Sequence, residues 1–88
     1  MNTKITIFVS SQAMVYGREF RMLRVNNGLS LKQIADQMTQ KGWSYYPSKL
    51  YRMENMTKFT LPENEMMDLL SCFNINVLDY IEFDSKPR

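Results

Sequence analysis

Between residues 46 and 52 the chain places Tyr46, Ser48, Lys49, Tyr51 and Arg52 within two helical turns, interleaved with apolar Leu50 and Met53. Donors of this kind on one face suit the edges of nucleobases and the phosphates beside them. Arg52 can give two hydrogen bonds to O6 and N7 of guanine, a contact worth about 1–3 kcal/mol of discrimination. Lys49 can do the same less rigidly, or neutralise phosphate, and Ser48 near a helix start can bond a phosphate oxygen alongside free amides. Lys32, Lys41 and Lys58 are candidates for phosphate contacts, which set register and affinity but carry no base information. Trp43, Tyr45, Tyr46 and Tyr51 form an aromatic cluster with two readings: stacking on bases and packing on thymine methyls, or filling core and meeting another protein. Trp43 is assigned to the core, and Tyr45 and Tyr51 to the surface.

No catalytic constellation accompanies these groups. The chain has no histidine and one cysteine, Cys72, so intrachain disulfides, thiolate clusters and histidine acid–base chemistry are not expected. Neither a metal nor a cofactor is expected, paired-carboxylate and glycine-rich phosphate motifs are missing, and the reading is of a non-enzyme. Eighty-eight residues suit one small domain. No apolar run reaches the roughly 18 residues of a membrane span, and no apolar leader segment is evident, so a soluble cytoplasmic protein is expected. The net charge of +2 is unevenly distributed. Residues 1–58 hold nine bases against three acids, and residues 59–88 two bases against six acids, as a nucleic-acid-facing surface with a separate back face would require.

The elements that must position these groups follow from spacing. Ser30 and Gln33 form a capping box, and Leu31, Ile34, Ala35 and Met38 follow at i, i+3, i+4, i+7, which predicts a helix. Pro47 opens a second helix over 47–55 that buries Leu50 and Met53. Residues 12–26 read as a preceding helix through Tyr16, Phe20 and Leu23, stopped by Asn27 and Gly28. Thr60 and Glu63 suggest another capping box, with Pro62 in the first turn and Met66, Leu69, Leu70 and Phe73 as the apolar stripe. Asn76 caps an expected fifth helix from Val77 to about Phe83. Residues 3–9, bounded by Ser10 and Ser11, are rich in β-branched side chains and admit a short strand, whose one available partner is the tail at 77–83. Met22, Met38, Met53 and Met66 are core by spacing, while Met56 and Met67 are candidates for an adaptable contact surface. The expected organisation is an arm or short strand at 1–11, one helical domain at 12–83 and a tail at 84–88.

Four segments, GREFRMLRVNNGLSL, QIADQM, KLYRMEN and LPENEMMDLLSCFNINVLDY, in this order and spacing from about Gly17 to Ile81, resemble the Cro/repressor-type helix-turn-helix proteins of phages and bacteria, also called the XRE family. The resemblance implies an all-α, lambda-repressor-like fold of five helices, with the third in the DNA major groove and the second bracing it across the backbone. It implies an ion pair between Arg24 and Glu54, locking the third helix to the first, and phosphate contacts at the start of the second helix, here Ser30, Lys32 and Gln33. Two departures stand out. The interval from Ala35 to Glu54 is about five residues longer than usual, and Leu31 occupies a position where many relatives carry a DNA-contacting glutamine. The function so implied is a DNA-binding transcriptional regulator, a repressor, that binds double-stranded DNA as a homodimer through Phe73–Phe83. A protein-binding modulator on the same fold, such as an antirepressor or an antitoxin, is the alternative.

Overall fold

The structure, a computed structural model, describes residues 5–8 and 11–84. The outer parts of the expected N-terminal strand, with Lys4 and Ser10, and the tail beyond Asp84 lie outside the described residues. In chain order the elements are β1 (Ile5–Phe8), β2 (Gln12–Tyr16), α1 (Gly17–Asn26), α2 (Leu31–Gln40), α3 (Pro47–Glu54), β3 (Lys58–Pro62), α4 (Glu63–Leu70), one 3-10 turn (Val77–Asp79) and β4 (Ile81–Asp84). The four strands form one mixed sheet in the order β3-β2-β1-β4. The fold is therefore α/β with four helices, and the all-α five-helix expectation is overturned.

Each departure has a local cause. Residues 12–16 were expected to start the first helix, but Ala13 and Val15 are both buried while Gln12, Met14 and Tyr16 are more exposed, the period of two that belongs to a strand. Two antiparallel partners, β1 and β3, satisfy the backbone of β2 on either side. Thr60 does not cap α4, because it lies inside β3, opposite Met14. The first amide of α4, that of Glu63, donates instead to the Ser11 carbonyl at 2.9 Å. Ser11 itself adopts a left-handed φ of 64°, a conformation costly for a residue with a Cβ. The expected fifth helix stops after a single turn whose cap is the Asn76 side chain, accepting from the Leu78 amide. Beyond it β4 runs parallel to β1, Ile5 opposite Ile81 and Phe8 opposite Asp84.

The core sits where the helices meet the sheet. Phe20 of α1 is fully buried, and its ring meets Phe59 of β3 and Phe73 edge-on, with centroids 5.5 and 5.7 Å away. Edge-to-face pairs of this kind add about 0.5–1.5 kcal/mol each beyond the area they bury. Ile34 and Met38 of α2, Leu50 of α3 and Met66, Leu69 and Leu70 of α4 complete the packing around them.

α1 and the end of α3 come close at Gly17. A Cβ there would lie 2.2 to 2.8 Å from the carbonyl oxygens of Met56, Met53 and Glu54, so only glycine admits this approach. The Gly17 amide uses it by donating to the Thr57 carbonyl at 3.2 Å.

Candidate nucleic-acid interface

α2 begins as its sequence dictates. The Ser30 hydroxyl accepts from the Gln33 amide at 3.0 Å, and Gln33 Oε1 accepts from the Ser30 amide at 2.7 Å. Among the described residues the Gln33 Nε2 has no protein acceptor and remains a donor for an outside ligand. Lys32 reaches Asp36 at 2.7 Å, but with both side chains more than half exposed this pair holds neither in place.

The long connection from α2 to α3 forms a strap along α4. Trp43 Nε1 donates to Asp68 at 2.8 Å, and the Tyr45 hydroxyl donates to Glu65 at 2.6 Å. The two acids lie three residues apart on one face of α4. Tyr45 is 6% exposed, so its expected place on the surface is corrected: the extra residues of the connection fold it inward. Burial, reinforced by the bond to Glu65, raises its phenol well above the usual range.

Behind this strap α3 starts at Pro47 with Tyr46 as its extended N-cap. Leu50, Met53 and Glu54 face inward. At 100° per residue the opposite face centres on Ser48, Arg52 and Asn55, with Lys49 on one flank and Tyr51 on the other. Four of the five base-reading candidates, Tyr46, Ser48, Tyr51 and Arg52, are exposed, and Lys49 is half-buried. Their rotamers are braced by neighbours. Arg52 donates to the Tyr46 hydroxyl at 3.2 Å and lies over its ring, while Lys49 donates to the Ser44 carbonyl at 3.1 Å and sits 4.1 Å above the Tyr45 ring. Cations held over aromatic faces are pre-ordered, which lowers the entropy they would lose on meeting a ligand.

Arg24 and Glu54 form the expected ion pair, bidentate at 2.6 and 3.1 Å, with only 14% and 2% of their side chains exposed. Arg24 also donates to the Leu29 carbonyl at 2.9 Å. One guanidinium thus ties α1, the end of α3 and the approach to α2 together.

The phosphate candidates do not form one group. Ser30, Lys32 and Gln33 cluster at the start of α2, whereas Lys41 follows its last turn, about 15 Å away by helical rise. Lys58 opens β3 opposite Tyr16. The expected dimer segment is also divided, because Phe73 is buried in the core while Leu78 is 74% exposed.

Three residues escaped the sequence reading. Asn55 shares the outward face of α3, and Arg18 and Arg21 of α1 line an open cleft that continues from it, together with Tyr16, Tyr51 and Met56. Position i+7 from Ser48 is the clue that could have found Asn55. Charge off the apolar face was visible for both arginines, but not which helix would stand beside them.

No helix among the described residues is long and apolar enough to cross a membrane. No protein-family model matches the chain, and neither a curated protein nor a solved structure matches it.

Proposed function

We propose that this protein is a sequence-specific DNA-binding regulator, a repressor, that inserts α3 into the major groove. The observation that carries this reading is the outward face of α3, where Ser48, Arg52 and Asn55 stand free of the core while Leu50, Met53 and Glu54 anchor the rod behind them. Arg52 is the principal base reader, supported by Lys49, Ser48, Tyr46 and Tyr51. The start of α2 and Lys58 meet phosphates. A helix one turn deep in the groove reads only a few base pairs, so two copies joined through the surface around Leu78 would read half-sites roughly 34 Å apart.

Selection from a random duplex library tests the proposal. A palindromic consensus is expected, with Arg52→Ala relaxing one base position by about 1–3 kcal/mol and Lys58→Ala weakening every site about equally. Failure of the wild-type chain to enrich any duplex would overturn it.

A further inference from the structure

The open cleft between α1 and the end of α3 has a volume of ≈ 780 Å³ and is lined in part by Tyr51 and Asn55. Its floor is electrically closed, because the Glu54 carboxylate is already held by Arg24. Its rim is not. Arg18 and Arg21 are exposed and make no hydrogen bond or ion pair with the described residues. Three residues apart on α1, they are neighbours on one helical face. Tyr16 and Met56, about half exposed, supply apolar surface beside them, and Lys58, in register with Tyr16, extends the basic edge onto β3.

Resting on the DNA reading above, we propose that Arg18 and Arg21 bind phosphates of the DNA strand on the α1 side of the major groove, with Tyr16 and Met56 against its sugars. A helix lying in the major groove has a phosphate strand along each flank. On α3 the Lys49 flank carries its own cation, whereas the Tyr51 flank carries none and faces the cleft. Arg18 and Arg21 supply the missing charge from a neighbouring helix, so α3 is gripped from both sides. Guanidinium forks match phosphate oxygens in pairs. The cleft opens onto the same surface as the reading face, which suits a continuous strand better than a small ligand, since ligand pockets bury about 70–90% of their occupant.

The test compares the full wild-type chain with Arg18→Gln/Arg21→Gln on the library-selected duplex, measuring the dissociation constant from roughly 50 to 200 mM salt, where each phosphate contact adds about 0.9 to the log–log slope. The double variant should be shallower by about 1.8 with its base preference kept, and Arg18→Lys/Arg21→Lys should restore most of the slope, because charge and not fold is being counted. If the double variant melts early, each single substitution to glutamine is read instead, with an expected loss of about 0.9. A slope equal to that of the wild type overturns the inference and leaves the DNA reading intact. No duplex binding by the wild type overturns both. Saturable binding of thymidine monophosphate that the double variant loses, with the duplex slope unmoved, would reassign the cleft to a free nucleotide and also overturn it.

Discussion

At its start α3 is held by the strap, through Trp43 and Tyr45 donating to Asp68 and Glu65; at its end it is held by α1, through Gly17 and the Arg24–Glu54 pair. The strap bonds join neutral donors to carboxylates that are themselves only half-buried, so a carboxylate released from its donor regains water at modest cost. The α1 contacts leave no such exit, since they consist of a buried carboxylate and a backbone approach with no room for a methyl group. The outward face of α3 is thus adaptable where it begins and rigid where it ends. Arg52 and Lys49, braced on Tyr46 and Tyr45, inherit the adaptable end, while Asn55 and the cleft inherit the rigid one.

The rigid end is where the largest loss is expected. Arg24→Ala should cost about 3–5 kcal/mol in urea unfolding, because Glu54 would be left charged and buried, and that is a large share of the roughly 5–15 kcal/mol a domain possesses. Arg24→Met combined with Glu54→Leu should recover most of it. Equal losses in the single and double variants would show that α1 packing, and not the stranded charge, fixes this end. Next comes Gly17→Ala, which must push three backbone carbonyls aside and should cost about 1–3 kcal/mol; an unchanged unfolding midpoint would mean that the approach of α1 to α3 is elastic.

The adaptable end predicts the smallest effect and a distinctive pH dependence. Tyr45→Phe should cost about 1 kcal/mol near neutral pH, since the Glu65 it releases regains water. The folded phenol titrates above its ordinary value of about 10, chiefly because it is buried. Stability is therefore fully present below pH 10 and declines as the pH rises past it, because the unfolded chain then loses the Tyr45 proton that the folded chain keeps. Thermal melts at increasing pH should show part of that decline disappear in the variant. A parallel decline in both proteins would place Tyr45 in water.

What could be read from the sequence divides along similar lines. α2 and α3 depend on neighbours within a few residues: the capping box, Pro47 and the stripe through Leu50 and Met53. Local chemistry suffices for them. The Arg24–Glu54 pair spans thirty residues and was legible only through the family resemblance. β2 defeated the reading because Tyr16, Phe20 and Leu23 keep helical spacing across a true boundary at Gly17, and the exposure of Tyr16 is decided by β3, more than forty residues away. Thr60 and Glu63 satisfied a capping pattern that the pairing of Thr60 with Met14 overrides. A strand in the N-terminal segment, paired with the tail within a chain or across a dimer, stood as one reading, since a short β-branched run has no use without a partner. The same tail was also assigned to a fifth helix, which the pairing of β4 with β1 replaces. Arg18 and Arg21 were visible only as charges off an apolar face, because their interest comes from Tyr51 and Met56 standing across the cleft.

The pairing of β1 with β4 also has a mechanical side. The two strands run the same way, with Ile5 beside Ile81 and Phe8 beside Asp84, so opposed forces applied at Ile5 and Asp84 would pull on opposite ends of the pair. Every rung between the strands would then bear tension simultaneously instead of peeling in turn. The helical body, whose sequence lies wholly between these strands, would be shielded until that clasp gave way.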